Sequence, residues 1–477
     1  MSRDLVAGRW ESCSTPVGLD LEDPATGAVT GPALGSSPAR VEAALRAAAE
    51  LESWDASAEE RATVLEAVAV AVAAAAPEIV ALEAAATGVP IRQTTPLGMI
   101  LSGSFALAAG QLRSGLLRST ATREDSREVV VERLPWGPVA CLVPWNAPAP
   151  MAAHKVANAL AAGCPAILKP SEFAPFGSER LAVAIDEALR GAGAPAALFQ
   201  LVQGGASAGR QLVADPRIRA VSFTGGLAGG RAVAAACAYD IKPVQLELGG
   251  NNPLIVLPDA DEEVAVRAAA DLLTTLNGQW CRALGRLIVP AGREEPLVSA
   301  ILDRVASLRT GDPADATTDY GPLIHSGHLA TVVEARAAMG GTIRSAALKG
   351  PGNTLAPSLV VGADPARTVD EIFGPVAAVH GYETVDEAIA LANGTSHGLE
   401  GYVVGADEEA ALAVARRVRA GEVKVNGSSI MSLHLFTPRP AWGLSGYSEE
   451  GTAETLLFFT NPRVTGVEGG FALHGRP

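Results

Sequence analysis

The sequence predicts an α/β protein made of two parallel-sheet units. Three observations carry this expectation. The chain has 477 residues, well past the roughly 250–300 at which a single hydrophobic core stops growing. Short apolar runs at 139–143, 166–168, 198–202, 220–223 and 244–248 alternate with Ala-rich helical segments, the pattern of a parallel sheet covered on both faces. A second alternation comes after it, with strands expected at 253–257, 287–289, 377–382, 401–404 and 423–426 and helices at 261–277, 294–308, 326–339, 384–393 and 407–420.

The elements follow from local chemistry. Residues 1–36 read as extended, loop-rich chain. Ser37-Pro38 supplies an N-cap and a first-turn proline for a helix whose Val41, Ala44, Leu45 and Ala48 fall at helical spacing. Ser57 and Glu60 form a capping box for a second helix, expected to be interrupted at Pro77, with Gly88 as the stop of the helical segment beyond that proline. Residues 92–120 read as a further helix with glycine breaks, and the β-branched Val129-Val130-Val131 as an exposed or edge strand. The boundary between units is expected near Gly249-Gly250. Residues 347–357 read as a surface loop and 455–460 as a last apolar strand.

Composition excludes several classes. The net charge of −15 disfavours a general nucleic-acid binder, which would be basic. The mean hydropathy of +0.23 comes from alanine, and the apolar run 67–76 is about half the ~20 residues that a membrane span needs. The N-terminus has no apolar stretch of the signal-peptide kind. Five scattered cysteines read as reduced thiols, so a cytoplasmic protein is expected, and no Cys/His cluster has metal-ligand spacing.

Chemistry-bearing residues sit just after the strands, where ligands bind in such sheets. Pro144-Trp145-Asn146, Lys169-Pro170-Ser171-Glu172, Phe223-Thr224-Gly225-Gly226 and Leu246-Glu247-Leu248-Gly249-Gly250 each follow a run. Further on come Asn277-Gly278-Gln279-Trp280-Cys281 and Glu371-Ile372-Phe373-Gly374-Pro375. In this order and spacing, from about residue 20 to 460, the chain resembles the aldehyde dehydrogenase superfamily. The resemblance implies a Rossmann-like NAD-binding domain at 1–116 with 136–249, a second α/β catalytic domain at 250–445, and a β oligomerisation arm at 117–135 with 446–477. A thiolate at Cys281 can add to an aldehyde carbon. The Asn146 amide and the Cys281 N–H can hold the resulting oxyanion, and Glu247 can activate water against the thioester. The family's matching residues hold these three roles.

The resemblance further implies cofactor contacts from Trp145, Lys169, Ser171, Glu172, Thr224, Gly225, Gly226, Gly230, Leu248, Glu371 and Phe373. A carboxylate at Glu172 can take both ribose hydroxyls and would repel a 2′-phosphate, so NAD is expected, with NADP the alternative. Expected tunnel residues are Ala147, Met151, His154, Trp280, Arg282, Leu435 and Phe436. Ala147 and His154 stand where the family commonly has aromatic residues, which suggests a wide tunnel for a medium to bulky, apolar or aromatic aldehyde. Arg282 and His154 leave open a polar or anionic semialdehyde. Gly226, Asn251 and Gly443 depart from the family's usual Ser, Lys and Lys-containing patterns. A CoA-acylating relative is disfavoured by Glu247. A silent member of the fold is the remaining reading, which a single fast-reacting cysteine would exclude. The family's use of the arm implies a homodimer or homotetramer, with no nucleic-acid or membrane partner.

Overall fold

A computed structural model describes residues 2–447 and 451–468. Its centre is an eight-stranded sheet. Phe199–Leu201, Ala166–Lys169, Val139–Leu142, Ala220–Thr224 and Val244–Glu247 run parallel in that spatial order. All five were expected from their apolar runs. Residues 1–36 were expected to be extended and loop-rich; the described residues from 2 to 36 form four strands. Arg3–Val6 and Arg9–Ser12 extend the sheet antiparallel beside Phe199–Leu201, and Thr15–Glu22 pairs with Val29–Gly35. Their burial alternates only partly, so the period-2 signal is weak. Gly446–Tyr447, expected with the arm, closes the other edge against Val244–Glu247.

The second sheet has seven strands. Val376–Tyr382, Leu284–Pro290, Asn252–Val256, Glu400–Val404 and Glu422–Val425 are parallel neighbours in that order. Two further strands, Thr342–Ser345 and Ser358–Val361, flank the loop expected at 347–357 and were not foreseen.

Ser37 caps Pro38–Leu51, and Ser57 with Glu60 caps Ala58–Thr87 reciprocally. The latter helix runs unbroken through Pro77 to Gly88, whose φ of 76° ends it. Pro77 lies on the solvent side of the helix, where water can take the carbonyl its missing N–H would have bonded. This helix is long and apolar enough to cross a membrane by length and composition. Its Leu65, Val68, Val72, Ala75 and Ile79 are packed in the core with Ile91–Arg113, Pro148–Ala162 and Phe176–Gly191. Ile91–Arg113 stops short of the expected 120 and gives way to the strand Arg118–Thr122.

Two expectations about the arm are corrected. Glu128–Pro135 is not an edge strand. It is the middle strand of three, between Arg118–Thr122 and Thr460–Gly466. The run 455–460 is not a strand: Thr452–Phe458 is a helix, and strand begins at Thr460. A short apolar run reads equally as a buried helix, and Leu456 with Phe459 packs here into the first core.

Candidate active site

The geometry starts with the backbone ahead of Cys281. The helix Glu262–Thr274 ends in the turn Thr275–Gly278, where Leu276, Asn277 and Gly278 have φ of 48°, 58° and 75°. Three consecutive left-handed residues are costly outside glycine and asparagine, so the surroundings must enforce them. Gln93 Oε1 accepts the Leu276 N–H at 2.7 Å. The buried Asn277 donates to Gly88 O and Pro322 O, each at 2.9 Å, and accepts from Gly321 N at 2.9 Å. Gln279 Oε1 accepts from Ile324 N at 3.0 Å. A Cβ on Gly278 would lie 2.5 Å from Pro375 N, so only glycine allows that approach. The Cys281 carbonyl is in turn held by Asn252 Nδ2 at 2.9 Å.

Cys281 is the partly exposed cysteine; Cys13, Cys141, Cys164 and Cys237 are buried. Its Sγ donates to Glu247 Oε1 at 3.6 Å across the seam between the two sheets. Burial, then the Glu247 charge, pushes the thiol far above its ordinary range. Burial also pushes Glu247 up, but Arg282, Arg439 and Lys155 outweigh it and hold the carboxylate below its ordinary value. At neutral pH the pair is therefore thiol and carboxylate.

One cavity of about 780 Å³ joins these groups to the cofactor residues named from the sequence. Trp145, Asn146, Lys169, Ser171, Glu172, Thr224, Gly225, Gly226, Leu248, Glu371 and Phe373 all line it. Asn146 lies just ahead of the helix Pro148–Ala162. Lys169 Nζ and Glu172 Oε2 pair at 3.3 Å. Gly226 begins the helix Leu227–Tyr239 with no side-chain cap, leaving first-turn N–H groups for an anion. Glu371 Oε1 accepts the Gly250 N–H at 3.0 Å, and burial pushes its carboxyl up to about 8. A Cβ at Gly249 would collide with that carboxylate. Phe373, at φ 57°, is a strained aromatic residue whose ring meets Trp145 edge-on at 5.2 Å.

The expected tunnel residues divide. Ala147, Met151, His154, Trp280, Arg282 and Leu435 line the cavity; Phe436 does not and is 56% exposed. Gly230 also lies outside it, buried where a Cβ would strike Leu248, so it serves helix–strand packing. Trp280 is almost wholly buried and donates to Leu272 O at 3.5 Å. Burial lowers His154 to about 4, so its imidazole is neutral, with Nε2 3.1 Å from Thr455 Oγ1. Arg282 turns inward to Glu400 and Glu247. Sequence reasoning missed Arg439, Thr437, Ile430 and Met431 on residues 429–439, hereafter the mouth segment, and Ile100, Ser104 and Leu107 on Ile91–Arg113. The last three recur at helical spacing and could have been found that way.

The profile of the aldehyde dehydrogenase family matches residues 10–465. The chain is 35% identical over 351 residues to the geranial dehydrogenase of Castellaniella defragrans, covering 71% of this chain and 72% of that protein. The crystal structure of an NAD-dependent aldehyde dehydrogenase from Sinorhizobium meliloti superposes with a TM-score of 0.90 at 32% identity, covering 98% of this chain and 94% of that one. A mutant of aldehyde dehydrogenase C from Pseudomonas syringae, solved with NAD+ and octanal, superposes at 0.88 with 29% identity over 97% and 96% of the two chains.

Proposed function

The chain belongs to the aldehyde dehydrogenase family, and from that premise we propose that it oxidises a neutral, medium to bulky, apolar or aromatic aldehyde to the acid with NAD. The observation that carries the reading is the Cys281–Glu247 pair, 3.6 Å apart in the lining of a cavity that Lys169, Glu172 and the Gly226 helix start also line.

The cofactor residues suit a dinucleotide. Glu172 would take the ribose hydroxyls, the Leu227–Tyr239 N-terminus would offer its N–H groups to the pyrophosphate, and Glu371 with Phe373 would hold the nicotinamide riboside. Bound oxidised NAD supplies the hydride acceptor and a positive ring charge. In the absence of that charge, burial and Glu247 keep Cys281 as a thiol. Cys281 would give its proton to Glu247, which accepts the Sγ–H and passes the proton on to solvent, and the thiolate would add to the aldehyde carbon while Asn146 and the Cys281 N–H donate to the new alkoxide. Loss of hydride leaves a thioester on Cys281. Glu247, held ionised, then takes a proton from water as the water attacks that thioester, releasing the acid.

Cavity chemistry supports an apolar substrate. Ile100, Leu107, Ala147, Met151, Ile430 and Leu435 line it. The two polar candidates for an anionic semialdehyde are neutralised, His154 by burial and Arg282 by its carboxylates. Geranial and octanal, named with two similar proteins, are aldehydes of this class. The three-stranded sheet, with Arg118–Thr122 exposed at its edge, suits pairing with a second copy as a homodimer or homotetramer. Measuring NAD reduction with octanal, benzaldehyde and succinic semialdehyde tests the reading. Preference for the two neutral aldehydes is expected, and preference for the semialdehyde would overturn the substrate assignment.

A further inference from the structure

We propose that Arg282 is the positioning residue of the general base, a guanidinium fork that holds the Glu247 carboxylate beside Cys281 while Glu400 anchors it from behind. The proposal rests on the assignment of Cys281 and Glu247 above. Arg282 directly follows the nucleophile, so its own backbone fixes its place; its carbonyl accepts from Tyr402 Oη at 2.9 Å. The side chain is buried, the residue being 4% exposed. Nη1 donates to Glu400 Oε2 at 2.8 Å, and Nη2 lies 3.6 Å from Glu247 Oε1.

Glu400 is itself buried inside a network. Lys424 Nζ contacts Glu400 and donates to Ser429 O at 2.7 Å. Arg439 Nη2 lies 3.8 Å from Glu400 and 3.4 Å from Glu422, whose Oε1 accepts the Leu433 N–H at 2.7 Å. The set balances three cations (Arg282, Lys424, Arg439) against three carboxylates (Glu247, Glu400, Glu422). Within it every cation is matched, so none is left over for an anionic substrate, and loss of one member leaves buried charge uncompensated. It also ties the mouth segment, through Ser429, Leu433 and Arg439, to the residue after the nucleophile.

Other charged groups face Glu247. Lys155 and His154 approach from Pro148–Ala162, Arg439 from the mouth segment, and Cys281 from the second unit. Lys155 Nζ is engaged by Ser222 Oγ at 2.8 Å, and Arg439 sits on its own carboxylates. Arg282 is the strongest of the cations that favour the ionised base. Removing it moves the pH at which Glu247 loses activity upward, by about one unit or more for a cation at this range.

The test uses the full-length enzyme with NAD and octanal. Stopped-flow NADH formation and steady-state turnover are followed from about pH 3.5 to 8, because Glu247 is held below the ordinary carboxylate range and its limb must be seen before and after the shift. Arg282→Met is expected to keep a burst of NADH at each active site, to slow the steady state, and to move its acidic limb to higher pH by about one unit, a roughly tenfold loss below the limb. Glu400→Gln keeps a side-chain acceptor for Arg282 Nη1 but removes a carboxylate that shares the guanidinium charge, so its limb is expected at or below the wild-type position; this variant carries the test if Arg282→Met does not fold. A limb that stays in place in Arg282→Met, or moves up in Glu400→Gln, overturns the proposal. So does a defect in Arg282→Met confined to the KM for succinic semialdehyde, which would make Arg282 a substrate cation. Glu247→Gln separates the two levels: if it turns over at the wild-type rate, the base assignment itself fails.

Discussion

Replacing Gly278 by alanine tests whether the nucleophile's position is built by the turn ahead of it. The residue sits at φ 75°, and its Cβ would lie 2.5 Å from Pro375 N and 2.6 Å from Pro375 Cα. The left-handed backbone costs an alanine about 1 kcal/mol. The clash is with backbone, which cannot rotate away as a side chain can, so overpacking adds roughly 1–3 kcal/mol. The chain relieves this by moving the turn, and Cys281 is three residues on. A shift near 1 Å at a reacting atom costs about a hundredfold in rate. Gly278→Ala is therefore expected to lower the melting temperature and to cut kcat with octanal about a hundredfold, leaving NAD affinity, measured by fluorescence quenching, near wild type. A variant with turnover within about twofold of wild type would refute the claim that this approach positions Cys281, since that is far below the loss expected from misplacement.

Three further outcomes are expected. Because burial and Glu247 keep Cys281 protonated, iodoacetamide alkylates it slowly near pH 7 without cofactor, and NAD accelerates the reaction; equal rates with and without NAD, by mass spectrometry, would contradict this. The fast thiol expected from sequence should therefore appear only in the loaded enzyme. Glu172→Ser removes the carboxylate that would meet a 2′-phosphate, and the NADP-to-NAD ratio of kcat/KM is expected to rise about tenfold or more, the scale of one close charge; an unchanged ratio removes Glu172 from cofactor choice. Glu83 is buried with one N–H from Ala149 at 3.3 Å, and burial raises its carboxyl to about 8. The folded state then holds a proton that the unfolded chain releases, so stability falls as pH rises from about 4.5 to 8 and is flat above. Glu83→Gln abolishes that slope, and its melting temperature should exceed that of the wild type increasingly across this window; parallel curves would exclude the effect.

The sequence carried the site further than the fold's margins. Cys281, Glu247, Asn146, Lys169 and Glu172 were legible through the motifs they share, and all but Cys281 stand at the end of a strand or just after it, where parallel sheets put ligands. The Arg282–Glu400 pair was not legible: the partners are 118 residues apart and meet only because two parallel strands bring them together. Gly230 and Phe436 matched by position, yet one packs a helix and the other faces solvent. Thr455 shows the limit of periodicity, since a six-residue apolar run fits a buried helix as well as a strand. Pro77 shows the limit of propensity, since tertiary packing on one face of Ala58–Thr87 keeps the helix intact through a residue that costs an isolated helix about 3 kcal/mol.

The central claim is that Cys281 carries the oxidation covalently. The direct measurement is NADH absorbance with NAD and octanal, using wild type beside Cys281→Ala of matched melting temperature. NADH formation by the wild type that falls to background in the variant is the predicted result. Turnover that survives in Cys281→Ala, or a wild type that reduces neither NAD nor NADP with any aldehyde offered, would contradict it.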